Sequence, residues 1–223
     1  IAPYPLFNKI TNKRHKVLSS SGRKKPRLLF VGRILKHKGI HIMLKALLHL
    51  KESYGSEHDY LCKIVGDYST YSSSTYLKEL KRLIASNDLK NIRFLGKVPD
   101  DKLHDEFKRS TIMIMPSFHE GFCIPIVEAM SYGTPVIGSE NSAIPSTIGK
   151  GGLTFRTGDS QDLAAKMIKL LDDCGSYEDL SKKALLESKK HSLKSFRSFY
   201  KRFMHEHVNR LAYRHVDNQM DDH

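Results

Sequence analysis

The stretch "TIMIMPSFHEGFCIPIVEAMSYGTPVIGS", Thr111–Ser139, decides the fold. Its apolar opening, Thr111–Ser117, reads as a buried strand with Ile112–Met115 at its heart. Ser117–Ile124 is a loop containing a glycine. Pro125 suits the first turn of a helix, where its missing N–H costs nothing, and Gly133 stops that helix. "PVIGS" is the next strand. Strand, loop, helix and strand follow one another with almost no spare chain. That economy is the signature of a parallel sheet covered by helices.

The pattern extends in both directions. Toward the N-terminus, "RLLFVG" (27–32), "YLCKIVGD" (60–67) and "NIRFLGKV" (91–98) read as strands. Between them, 38–55 and 74–87 repeat apolar residues at helical spacing: Ile42, Leu44, Leu47, Leu48 and Leu50 in one, Leu77, Leu80, Leu83 and Ile84 in the other. "PDDKLHDEFKRS" (99–110) opens with Pro and two acids, a good helix start. Toward the C-terminus, "GGLTF" is a last strand and 158–173 a helix capped by Asp159 or Ser160. The expected architecture is α/β: a Rossmann-like parallel sheet with helices on both faces. Ligands of such sheets bind beyond the carboxyl ends of the strands, which directs attention to 32–39, 66–75, 96–101, 116–125 and 139–145.

The 223 residues carry a formal net charge of +13, with 39% hydrophobic and 27% charged residues. A chain of this size buries a real core. It has no run approaching the roughly 20 apolar residues that span a bilayer. The start lacks a Met and a signal-peptide core, and reads as an internal cut through a longer chain. Residues 1–25, with Pro3, Pro5 and a Ser- and Lys-rich run, read as a linker. Residues 26–180 form the main domain, and 181–223 a basic helical segment and tail. Along that tail Leu193, Phe196, Phe199, Phe203 and Leu211 share one face. Packing on the domain and lying on a membrane surface both suit such a face, and packing is favoured. Cys62, Cys123 and Cys174 are too far apart for a metal pair or a disulfide framework. Two buried thiols and one partly exposed thiol, in a reducing compartment, are expected. The basic balance suits phosphorylated ligands, anionic lipid or nucleic acid. Nucleic acid is set aside, because the middle of the chain has no basic face interleaved with aromatics.

Three constellations carry chemistry. In "VGRILKHKG" (31–39) a strand ends at Gly32, Arg33 follows, and Lys38-Gly39 open a helix. A guanidinium fork, an ammonium and free helix-end N–H groups suit a diphosphate; a solvated basic loop is the plain alternative. The spaced glycines of a P-loop are missing. In 117–128, the N–H groups of Gly121, Phe122, Cys123 and Ile124 are expected to face the crevice, with Glu120 beside them for sugar hydroxyls. Glu128, read as lying on the first helical turn, could reach a pair of adjacent hydroxyls, or simply favour the helix dipole. In "FLGKV", Lys97 and Val98 could flank a nucleobase.

Taken in order, "VGRILKHKG", "KIVGD", "NIRFLGKVPDDKL", "MPSFHEGFCIPIVEAMSYGTPVIGS" and "GGLTFRTGDSQDLAAKM" resemble the retaining glycosyltransferases of family 4, over about Arg27–Asp173. Glu120 and Glu128 resemble that family's E-x7-E pair. The resemblance implies the C-terminal, donor-binding half of a GT-B fold, with the acceptor-binding half absent. It implies diphosphate binding by Arg33 and Lys38 and a sugar contact from Glu120, these three being the catalytic set. It implies donor contacts from Gly32, Gly121, Phe122, Cys123 and Ile124, ribose binding by Glu128, and a base flanked by Lys97 and Val98. No metal and no cofactor are implied; the donor is a nucleotide-diphosphate sugar, UDP favoured over GDP. The partners implied are that donor and an acceptor glycan or lipid-linked glycan. A cytoplasmic enzyme of surface polysaccharide or glycolipid assembly, in peripheral contact with the membrane, is expected. A non-catalytic nucleotide-binding or interaction module on the same fold is the alternative. The sequence departs from the family pattern at Cys123, where Gly is usual, at Ser146, where an acid is common, and at Tyr68, where a small residue is usual.

Overall fold

The computed structural model describes residues 25–54 and 60–191, without the side chains of 54 and 71–73. The expected linker, but for its last residue, and the aromatic face of the tail lie outside the described residues. The chain divides into two units, Lys13–Ser188 and a second formed by Ile1–Asn12 with Lys189–His223; the sheet and its site lie in the first.

Six strands form one parallel sheet: β1 (Arg27–Val31), β2 (Leu61–Val65), β3 (Ile92–Gly96), β4 (Ile112–Met115), β5 (Val136–Ser139) and β6 (Gly152–Phe155). Their order across the sheet is β3-β2-β1-β4-β5-β6. The helices are α1 (Ile40–Tyr54), α2 (Tyr71–Ser86), α3 (Asp100–Arg109), α4 (Ile124–Ser131), α5 (Ile144–Ile148), α6 (Ser160–Asp172) and α7 (Cys174–Lys190). α1 packs on α2 and α6; α3, α4 and α5 pack in succession. Right-handed crossovers put these two groups on opposite faces of the sheet. β4 and β5 are buried at every position, as strands covered on both sides must be. Phe30, Met43, Leu47, Ile114, Ile137 and Met167 are fully buried in the core between the layers. Cys62 and Cys123 are buried and Cys174 is half-buried, as expected.

Local sequence sets most boundaries. Pro99 caps α3, with Asp100 and Asp101 in the first turn and Lys108 and Arg109 in the last, matching the helix dipole. Asp159, rather than Ser160, caps α6: its carboxylate accepts from the N–H groups of Gln161 and Asp162. α5 was not foreseen, being only five residues long with Pro145 in its first turn. α7 runs unbroken through residue 181.

Strand order reverses between β1 and β4, which are joined in the ladder by only two pairs, Leu28↔Ile112 and Leu29↔Met113. That seam is reinforced by the Thr111 N–H donating to the Arg27 carbonyl at 2.7 Å, and by the Arg27 N–H donating to Thr111 Oγ1 at 3.0 Å. In open parallel sheets the crevice above such a reversal is where ligands sit.

Candidate functional site at the strand reversal

The loops after β1 and β4 meet at the reversal. Gly39 adopts a left-handed conformation (φ 67°), and a Cβ there would lie 1.9 Å from the Pro116 carbonyl oxygen. Two residues further along β4's loop, the Phe118 N–H donates to the His37 carbonyl at 2.8 Å. The β5–α5 loop supports the same segment: Asn141 Nδ2 donates to the Phe118 carbonyl at 2.7 Å, and Ser142 Oγ lies 2.9 Å from His119 Nδ1.

This framework brings together two groups singled out in the sequence as separate ligands. Lys38 Nζ donates to Glu120 Oε1 at 2.7 Å, across 82 residues of chain. Their side chains are only 14% and 13% exposed, so the pair is poorly screened and stronger than a surface ion pair. Arg33 is exposed at the end of β1 and forms no ion pair among the described residues. Its charge nonetheless reaches the site. Burial, then the Lys38 and Arg33 cations, hold His37 below the usual imidazole range, so His37 is neutral at pH 7.

Gly121 is exposed, and a Cβ there would meet nothing within 4 Å, so its backbone is approachable. Phe122 is exposed and Cys123 buried. Cys123, at φ −86°, is the residue preceding α4, a conformation that needs no glycine. Burial pushes its thiol up to about 12, so it is no nucleophile at neutral pH. Lys97 is exposed and Val98 half-buried beyond β3. Tyr68 packs over Gly96, its hydroxyl 3.3 Å from where a Cβ would stand.

Three expectations are corrected. The helix after Gly39 does not leave all its first-turn N–H groups free: those of Ile42 and Met43 turn back onto the Gly39 carbonyl. The Tyr76 hydroxyl from α2 accepts from the His41 N–H at 3.1 Å. The same hydroxyl lies 2.7 Å from His41 Nδ1. The Ile124 N–H is turned back onto the Phe122 carbonyl at 3.1 Å, because the chain tightens there before entering α4. Glu128 is not on the first turn of α4. The helix starts at Ile124, one residue before the proline, and Glu128 lies one turn in, half-buried. Dipole stabilisation falls off by that depth.

The consequence is a perturbed carboxyl. Burial, then the charge of Asp100 at the start of α3, raises Glu128 from 4.5 to about 7. The folded chain therefore keeps a proton that the unfolded chain has released, and stability falls as pH rises from about 4.5 to about 7. The loss amounts to as much as about 3 kcal/mol. Glu128→Gln is expected to be more stable than the parent to urea at pH 8 and equal to it at pH 4.5. An equal difference at both values would refute the assignment.

Two residues of the site were not foreseen. Ser117 and Ser139, at the ends of β4 and β5, are fully buried. Ser117 Oγ donates to Glu120 Oε1 at 2.7 Å, and Ser139 Oγ donates to the Ser117 carbonyl. In the sequence both stand beside Gly, Pro or Glu and read as ordinary turn residues; the only signal is their place at strand ends flanking the reversal.

This α/β fold, a six-stranded Rossmann-like parallel sheet covered by helices, is shared with solved glycosyltransferases. It superposes on the Anabaena HepE protein, crystallised with UDP, with TM-score 0.71 and 22% identity, over 82% of this chain and 49% of that one. It likewise matches the C-terminal domain of LpcC from Francisella tularensis, described as a glycosyl transferase group 1 family protein. There the TM-score is 0.66 and the identity 24%, over 75% of this chain and 87% of that one. The chain belongs to the family of glycosyl transferases group 1, whose model matches residues 12–186. A curated relative, O-antigen chain mannosyltransferase B of Escherichia coli, is 36% identical over 101 residues. The match takes in 45% of this chain and 26% of that enzyme, so the chain spans about a quarter of its length.

Proposed function

We propose that residues 26–180 form the donor-binding domain of a retaining glycosyltransferase. The enzyme transfers a hexose from a nucleotide-diphosphate sugar, UDP favoured over GDP, to an acceptor hydroxyl. The observation that carries this reading is the Lys38–Glu120 contact at the strand reversal, with the exposed Arg33 in the same loop, its charge felt at His37. An ammonium held against a carboxylate, next to a second cation, suits a ligand that carries both a diphosphate and sugar hydroxyls. The HepE structure with UDP and the mannosyltransferase relative support the same class of donor.

Charge explains the step. The bond from the anomeric carbon to the diphosphate oxygen breaks, and its electron pair stays on the diphosphate. Arg33 and Lys38 stabilise that growing negative charge, without a metal ion. The acceptor oxygen bonds to the anomeric carbon from the same face, and its proton passes to the departing phosphate oxygen. Glu120 positions the sugar, Glu128 the ribose hydroxyls, and Lys97 and Val98 the base. Gly32, Gly121, Phe122 and Cys123 line the donor's path. The acceptor, a glycan or lipid-linked glycan of surface polysaccharide or glycolipid assembly, belongs to a second domain. This chain alone therefore binds donor and does not transfer sugar, since the chemistry needs both reactants oriented together. We place the enzyme in the cytoplasm, in peripheral contact with the membrane. Among the described residues no helix is long and apolar enough to cross one.

Calorimetric titration with UDP, GDP and ADP, each also as a sugar conjugate, tests the reading. One nucleotide is expected to bind saturably, and Arg33→Ala to weaken it at least about tenfold, the scale of one charge-assisted contact. Absence of binding by all of them, or an undiminished affinity in the variant, is the result against it.

A further inference from the structure

We propose that Ser117 is a positioning residue for Glu120, and that it leaves Oε2 as the oxygen that holds the transferred sugar. The inference rests on the donor-domain reading and adds how its sugar end is built. Glu120 Oε1 accepts twice, from Lys38 Nζ and from Ser117 Oγ, each at 2.7 Å. Its other oxygen, Oε2, has no hydrogen bond among the described residues. Ser117 has one proton to give. The Met115 sulfur stands 3.4 Å away, a weaker acceptor at a longer distance, so the proton goes to the carboxylate.

Burial makes this arrangement informative. Ser117 and Ser139 are both 0% exposed, so solvent cannot replace either hydroxyl. An apolar residue would fill each place without the cost of burying a hydroxyl. Ser139 spends its proton on the Ser117 carbonyl, which fixes the backbone that carries Ser117. The Glu120 carbonyl, in turn, accepts from the Ala143 N–H at 3.3 Å. A buried network of this kind, with Oε1 doubly bonded, holds a side chain in one orientation. It also explains how Glu120 can stay in place when a diphosphate competes for Lys38. Lys38 turns toward the phosphate, and Ser117 keeps Oε1 anchored while Oε2 accepts from a sugar hydroxyl.

The sugar increment is the ratio of the dissociation constant of a bare nucleotide to that of its sugar conjugate. It is measured for UDP with UDP-glucose, GDP with GDP-mannose and ADP with ADP-glucose. In Ser117→Ala the increment is expected to fall about tenfold, with affinity for the bare nucleotide falling much less. In a Glu120→Ala background, Ser117→Ala is expected to change the increment no further, because its effect passes through Glu120. A purely structural role would lower both affinities together and would persist without Glu120; either result overturns the proposal. Ser117→Cys leaves no void and is a poor donor; it is expected to behave as Ser117→Ala, so a poorly folded alanine variant does not end the test. A parent chain that binds no nucleotide defeats the donor-domain reading. One that binds nucleotide with no sugar increment overturns the role given to Glu120, and Ser117's with it.

Discussion

Lys38→Ala is expected to lose nucleotide affinity by about a hundredfold and stability by about 2 kcal/mol, and a second substitution separates the two losses. Lys38 and Glu120 are nearly buried together, so removing the cation strands a carboxylate in a poorly hydrated place with only Ser117 to answer it. Removing one partner of such a pair costs more than removing both. Lys38→Ala with Glu120→Ala should therefore recover most of the lost stability, since no charge is left uncompensated. It should recover none of the affinity for the bare nucleotide, because the phosphate's cation is still gone. Urea unfolding and calorimetric titration of the two single variants and the double variant read the cycle. Affinity restored along with stability would mean that Lys38 is a structural cation that never meets the ligand.

Gly66→Ala is expected to be the most damaging single methyl in the described part of the chain. A Cβ at Gly66 would lie 1.8 Å from the Gly32 carbonyl oxygen and 2.7 Å from its carbon. Both are backbone atoms held in the sheet: the Gly32 N–H donates to the Val65 carbonyl, and the Gly66 N–H to the Gly96 carbonyl. No side chain can swing away to relieve the clash, so the ends of β1 and β2 must part. We expect at least about 3 kcal/mol of destabilisation and a melting temperature lower by roughly 10 °C. Gly121→Ala is the control. It places the same methyl in open space and should leave the melting temperature within about 2 °C. Calorimetric or fluorescence melts of both variants decide the matter. Equal melting temperatures would show that the strand ends yield where the geometry says they cannot.

The sheet was legible because its strands are uninterrupted apolar runs separated by helices of clear period, and both signals are local. Pro99 and Asp159 marked helix starts for the same reason. What the sequence withheld depends on distance in the chain. Lys38 and Glu120 were each recognised as charged ligand groups, but their contact exists only once β1 and β4 lie side by side. Tyr76 gives no hint that it closes the start of another helix, 35 residues back. Glu128 reads as first-turn because Pro125 suits a helix's first position, whereas the turn at Phe122–Ile124 starts α4 one residue earlier. Ser117 was the hardest to see. A serine after Pro in a loop is commonplace, and only its complete burial beneath a carboxylate gives it a role.

The seam between β1 and β4 has a consequence for motion. The sheet is two three-stranded halves meeting across two ladder pairs, and the 33–39 and 117–123 loops stand on opposite sides of that line. A ligand gripped by both loops acts as a cross-link, and its binding energy adds to the work of parting the halves. Amide hydrogen exchange is then expected to slow on binding along both strands, even at residues such as Leu29 and Met113 that are buried below the loops. The same ligand should leave β3 and β6, at the two outer edges, exchanging much as before.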